Sequence, residues 1–253
     1  MVELSFSPSS PLVVATTATL DEAREAVVQG AGLVEVRPDL IGQSLEQVMS
    51  HFESVKSAVS VPLLGTVRLP ADGGKFLYSD EDRYAMFHAI IGYINAVDIE
   101  VDSVLRDGVT KLAHDRNVSV VCSYHNMERT LARNELSALI QRMESTGCDA
   151  IKIAMMARSR SDFDVMFDAT VEHVARLSKP IAMVSMGEEG KIGRKTLPWV
   201  GSCMTYGCVY EPRAPGQVKI NELKSALDFA RERDDLPVGR EKYEAILSGF
   251  VKL

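Results

Sequence analysis

A (β/α)8 barrel, a TIM barrel in a single domain spanning 1–253, is the fold class the sequence predicts. Eight short apolar, β-branched runs recur along the chain, and longer amphipathic segments separate them. Strands alternating with helices at this spacing predict a parallel sheet. The rival is a doubly wound sheet, but no Gly-x-Gly-x-x-Gly follows the first run.

The predicted strands cover 12–16, 33–37, 62–68, 96–101, 118–124, 150–154, 180–186 and 202–207. Between them, Thr19-Leu20-Asp21-Glu22 has the pattern of a capping box ahead of a helix over 23–29, with Gly30 as its terminator. Further helices are expected over 44–58, 79–93, 103–116, 130–146 and 161–177, and one over 221–231 closes the ring. The stretches 188–201 and 211–217 read as loops.

Composition narrows the function. The 253 residues carry a formal net charge of −7, so the basic footprint of a nucleic-acid binder is missing. Cys122, Cys148, Cys203 and Cys208 show neither Cys-x-x-Cys spacing nor neighbouring histidines, so neither a metal site nor a disulfide scaffold is expected. No basic region followed by an apolar stretch opens the sequence, and no apolar run is long enough to span a bilayer. A soluble cytoplasmic protein without nucleic-acid or membrane partners is expected.

The chemistry is suggested by Lys152, a lone ammonium in the run Asp149 to Met156 that otherwise reads as a buried strand. Side chains alternate along a strand, so Ala150, Lys152 and Ala154 share one face and Ile151 and Ile153 the other. An edge strand with one solvated lysine would explain this segment alone. The same parity recurs in Glu35-Val36-Arg37, Thr66-Val67-Arg68, Asp98-Ile99-Glu100 and Ser123-Tyr124-His125, at the C-terminal ends where barrels build their sites. Glu35, Arg37, Arg68, Glu100, His125 and Lys152 are therefore expected to converge on one mouth. A lysine there can form a Schiff base with a ketone, and a histidine can move a proton at neutral pH. Cations at Arg37 and Arg68 favour the neutral amine, whereas Glu35, Asp98 and Glu100 favour the charged one.

Taken in order, these motifs together with Gly73-Gly74, Lys152-Ile153-Ala154, Met186-Gly187 through Gly190 to Arg194, and Ala214-Pro215-Gly216-Gln217 resemble the type I 3-dehydroquinate dehydratases over nearly the whole chain. The resemblance implies an imine between Lys152 and the ketone of 3-dehydroquinate, with His125 removing the neighbouring proton and assisting loss of water. It implies that Glu35, Arg37 and Arg68 hold substrate hydroxyls and ring, that Arg194 binds the carboxylate, and that Gln217 lies in a lid loop. No cofactor or metal is implied, and a homodimer is.

Two positions depart from the family's pattern. Asp72 stands where a glutamate often precedes the paired glycines, leaving Asp72 or Glu100 to orient His125. Arg213 stands where the lid often has serine, and could supply a second cation to the substrate carboxylate or point to solvent. A short N-terminus implies that a hairpin covering the barrel floor in some relatives is missing. A class I aldolase is the catalytic alternative, but Gly187-Glu188-Glu189-Gly190 puts two carboxylates where a sugar phosphate would approach. A non-catalytic binding barrel would need neither lysine nor histidine, and structural ion pairs alone would not explain the shared parity.

Overall fold

The computed structural model describes residues 4–41, 44–77, 79–174, 176, 179–231 and 238–250. Its strands are β1 (Leu12–Thr17), β2 (Leu33–Val36), β3 (Leu63–Thr66), β4 (Ala96–Glu100), β5 (Ser119–Asn126), β6 (Ala150–Met156), β7 (Ile181–Met186), β8 (Met204–Cys208) and the short β9 (Val218–Lys219). All ladders are parallel, in the order β7-β6-β5-β4-β3-β2-β1-β8-β9. Residues just before β8 bring it against β7. The Met183 N–H donates to Ser202 Oγ at 2.9 Å and the Cys203 N–H to the Ile181 carbonyl at 2.8 Å. The curled sheet thus comes round as a (β/α)8 barrel.

The helices are α1 (Leu20–Val28), α2 (Pro38–Ile41), α3 (Leu45–Ala58), α4 (Asp80–Ile90), α5 (Arg106–His114), α6 (Arg133–Glu144), α7 (Arg160–Val174), α8 (Lys191–Thr196), α9 (Ile220–Arg231) and α10 (Arg240–Phe250). The Thr19–Glu22 capping box forms as expected, and Ser44 with Gln47 and Ser79 with Asp82 do the same for α3 and α4.

Some boundaries differ from expectation for identifiable reasons. Helix α5 begins at Arg106 and not at Ser103, whose hydroxyl accepts from Arg83 Nη1 at 3.3 Å and from the Leu105 N–H at 3.2 Å. Helix α6 begins at Arg133 because Thr130 Oγ1 donates to the Met156 carbonyl at 2.8 Å. The stretch 188–201 is not all loop: it holds α8 and a 3-10 turn, Leu197–Val200. Six residues with a central Gly193 are too short to show a period. That glycine sits so close to β7 that a Cβ would lie 2.1 Å from Ser185 Oγ. Helix α10 follows the helix expected to close the ring. For the helix expected over 161–177, Ala175 and Leu177 lie outside the described residues.

Strand alternation produces two cores. Val36, Val97, Ile99, Val120, Ile151 and Ile153 face outward into the helix layer with Phe52, Phe87 and Phe163. Val14, Leu33, Leu64, Ala96, Val121, Ala150 and Ala182 face the barrel axis. Residues 4–11 form no strand, and Leu4 and Phe6 pack against this inner cluster. Among the described residues no helix is long and apolar enough to cross a membrane.

Phe52 is fully buried in α3, away from the inner cluster. Phe52→Ala should cost about 3–5 kcal/mol of stability, read as a lower denaturation midpoint with an unchanged denaturant slope.

Candidate active site

Above the apolar floor, the inward positions of consecutive strands turn polar. Lys152 on β6 pairs in register with Ser123 on β5 and Ala182 on β7, and the small Ala150 and Ala154 flank it on its own face. The lysine is 5% exposed. Its Nζ lies 3.0 Å from Asp98 Oδ2, 4.0 Å from Glu35 Oε1 and 4.3 Å from the centre of the Tyr206 ring.

Asp98 on β4 is wholly buried, and its Oδ1 accepts from Ser123 Oγ at 2.6 Å and lies 2.7 Å from Arg68 Nη2. Burial by itself would raise this carboxyl. Arg68 and Lys152, with the hydrogen bond from Ser123, outweigh it and hold Asp98 well below the usual carboxylate range. Arg68 Nη1 donates to Glu100 Oε1 at 2.6 Å and to Ser123 Oγ at 3.1 Å. Behind Glu100 stands Arg83 of α4, also wholly buried, which pairs with Glu100 Oε2 and donates through Nε to the Val67 carbonyl at 3.0 Å. The ions form one chain, Arg83–Glu100–Arg68–Asp98–Lys152.

Glu35 is the lateral wall of this chain. Thr16 Oγ1 donates to its Oε2 at 2.7 Å and Thr66 Oγ1 to its Oε1 at 2.9 Å. Arg37 gives Nε and Nη2 to Asp39 at 2.7 Å each, so two of its three nitrogens are already engaged.

His125 ends the β5 row. Burial first, then the cations Arg68 and Lys152, push its imidazole well below the usual value, so it is neutral at pH 7 and free to accept a proton. Asp72 Oδ1 lies 3.7 Å from its Nδ1, which makes no direct hydrogen bond. Asp72, and not Glu100, is thus the carboxylate beside His125, since Glu100 is held between two arginines. The paired glycines explain how Asp72 gets there. A Cβ on Gly74 would lie 2.0 Å from the Arg68 carbonyl oxygen, so only glycine lets the loop fold back over β3. Burial, with Glu100 nearby, raises the Asp72 carboxyl to about 6.

The mouth is roofed by the segment between β8 and β9. Arg194 of α8 is 2% exposed and donates to the Tyr206 carbonyl at 3.1 Å and the Pro215 carbonyl at 2.9 Å. Its Nε has no partner and no carboxylate pairs with it among the described residues. Burial lowers its pKa to about 10. Gly216, at φ +71, rests on Gly187 so closely that a Cβ would lie 2.1 Å from the Gly187 oxygen. Gln217 Oε1 accepts from the Arg213 N–H at 2.6 Å and the Ala214 N–H at 3.2 Å. Arg213 lines the mouth, yet its Nη2 is bound to both oxygens of Glu22 at 2.6 and 2.7 Å.

The structure therefore brings Glu35, Arg37, Arg68, His125, Lys152, Arg194, Arg213 and Gln217 to one cavity, and sets Glu100 behind Arg68. Sequence reasoning counted Asp98 only as a charge favouring the ammonium of Lys152, and left Tyr206 and Arg83 out of the site. Parity could have found Tyr206, two residues after Met204. Arg83 gave no signal, because Asp80-Glu81-Asp82-Arg83 reads as an exposed helix start.

Fold and mouth together define a barrel enzyme with a lysine-centred site. The family model for type I 3-dehydroquinase matches residues 10–234. A 3-dehydroquinate dehydratase from Methanococcoides burtonii is 31% identical over 224 residues, covering 87% of this chain and 94% of its own. Among solved structures, the 3-dehydroquinate dehydratase of Geobacillus kaustophilus superposes with a TM-score of 0.84 at 26% identity, covering 88% of this chain and 92% of its own. The type I enzyme of Clostridium difficile, solved with covalently modified comenic acid, gives 0.82 at 27%, covering 88% and 93%. The chain belongs to the type I 3-dehydroquinase family, a family of hydro-lyases.

Asp72 gains its charge as pH rises through about 6, whereas His125 stays neutral across that range. The His125 ring resonances should therefore show a small step near pH 6 that disappears in Asp72→Asn. A step of imidazole-protonation size, or one that survives the substitution, would assign the titration elsewhere.

Proposed function

We propose that this chain dehydrates 3-dehydroquinate to 3-dehydroshikimate in the shikimate pathway, through an imine on Lys152. The observation that carries the reading is a buried lysine held on Asp98 in the same mouth as a neutral histidine. The covalently modified ligand in the Clostridium difficile relative supports a covalent route.

Arg194 is the anchor for the substrate carboxylate, since it is a buried cation with a free Nε and no acidic partner among the described residues. The ketone then meets Lys152. Lys152 adds to the ketone as the free amine, and overall its ammonium and the ketone give an iminium and water: the N–C bond forms, the C–O bond breaks, and two of the ammonium's protons leave with the oxygen. The iminium draws electrons from the adjacent carbon, whose proton passes to His125. Returning that proton to the departing hydroxyl completes the elimination and leaves His125 neutral. Hydrolysis of the product imine restores Lys152. Glu35, Arg37 and Arg68 bound the ring, and Gln217 shapes the roof. As in the family resemblance, a single catalytic domain acting as a cytoplasmic homodimer belongs to this proposal.

Borohydride added during incubation with 3-dehydroquinate should leave a reduced adduct on Lys152 and abolish activity. An unmodified Lys152 by mass spectrometry, or undiminished turnover of Lys152→Ala, would sink the imine. His125→Ala should still trap the adduct while turning over roughly 100- to 10,000-fold more slowly.

If Arg194 is the anchor, Arg194→Ala should raise KM by roughly 30-fold or more. Arg213→Ala should do so far less, because Arg213 is already bound to Glu22. Equal effects would move the anchor.

A further inference from the structure

We infer that Tyr206 is a further catalytic residue: its ring face supports the charge on Lys152, and its hydroxyl donates a hydrogen bond to a substrate oxygen at the amine. The inference rests on the reading of Lys152 as the imine-forming residue and adds a group to that step.

Two observations carry it. Lys152 Nζ stands over the Tyr206 ring at 4.3 Å from its centre, within the range in which the negative face of an aromatic ring attracts a cation. A leucine or methionine would fill this inward position of β8 equally well but would do nothing for a charge. Second, Tyr206 is 5% exposed, lines the cavity, and its hydroxyl has no hydrogen-bond partner among the described residues. A buried hydroxyl without a partner is destabilising, and phenylalanine would avoid that cost. The two carboxylates beside Lys152 are committed, Asp98 to Ser123, Arg68 and the lysine, and Glu35 to Thr16 and Thr66. The tyrosine hydroxyl keeps its donor unspent among the described residues.

The hydroxyl remains a donor through the reaction. Burial, reinforced by the charges of Glu35 and Asp98, pushes its pKa well above the usual phenol value, so it stays protonated. It transfers no proton in this scheme. As the N–C bond forms, the ketone oxygen gains negative charge before it collects the two protons, and the hydrogen bond stabilises that charge. The ring face, meanwhile, sees one positive charge before the step, on the ammonium, and one after it, on the iminium.

Tyr206→Phe keeps the ring and removes only the hydroxyl; Tyr206→Leu removes both. With 3-dehydroquinate and borohydride under single-turnover conditions, Tyr206→Phe should trap the Lys152 adduct about tenfold more slowly than wild type. Its thermal midpoint should be unchanged or higher. That pairing of slower chemistry with undiminished stability is one a merely structural tyrosine would not give. Tyr206→Leu should be slower again by about tenfold. Wild-type trapping in Tyr206→Phe would overturn the hydroxyl's role, and equal rates in Tyr206→Phe and Tyr206→Leu would overturn the ring's. No adduct in the wild type would sink this inference and the Lys152 reading together, whereas normal trapping in Tyr206→Phe sinks this one alone.

Discussion

Asp98 is a carboxylate with no solvent access, and the arrangement of the mouth follows from what it needs. A buried charge of this kind persists only if it is paired and hydrogen-bonded on every side. Ser123 and Arg68 meet one oxygen and Lys152 the other. Because these partners come from three neighbouring strands, satisfying Asp98 fixes the relative positions of β3, β4, β5 and β6 at the level where the chemistry occurs. Arg68, once drawn to Asp98, presents its other nitrogen to Glu100, and Glu100 in turn demands Arg83 from outside the sheet. One desolvated carboxylate thus ties a helix to Lys152 through alternating charges.

The same chain accounts for where the mouth can receive an anion. Lys152, Arg68 and Arg83 face Asp98, Glu100 and Glu35, three cations against three carboxylates. That inner network is balanced, so a substrate carboxylate gains little by approaching it. Arg37 is matched by Asp39 and Arg213 by Glu22. Arg194 is the buried cation of the mouth that no described carboxylate offsets, and its two carbonyl contacts orient it without neutralising it. In the proposed reaction, recognition of the acid and activation of the ketone are thereby separated in space, with the Gly216–Gly187 contact closing the roof near Arg194.

Much of this was legible because a strand's two-residue period survives in sequence without any knowledge of partners. Parity placed Glu35, Arg68, His125 and Lys152 on one face, and the inner and outer cores sort as that parity requires. What stayed hidden depends on contacts between segments far apart in the chain. Arg83 looks solvated beside three acidic neighbours until Glu100, seventeen residues on, takes its guanidinium. Arg213 reads as a candidate carboxylate ligand until Glu22, 191 residues away, is folded against it. Helix α8 was lost because its glycine serves close packing on β7 at the expense of helix propensity.

The covalent chemistry proposed for Lys152 fits this rigid network for a reason of charge conservation. Ammonium plus ketone becomes iminium plus water, so the nitrogen carries one positive charge both in the resting site and in the intermediate. Asp98 and the face of Tyr206 meet a cation in the resting ammonium and again in the iminium, the attacking amine and the enamine between and after them being neutral. A site whose carboxylates are locked by threonines, a serine and arginines does not rearrange as the charge leaves and returns, since rearrangement would have to break buried ion pairs. That rigidity is an advantage, because the partners of the iminium are in place before the substrate arrives. What must change is only the position of protons, and that falls to His125, the neutral group at the end of the row.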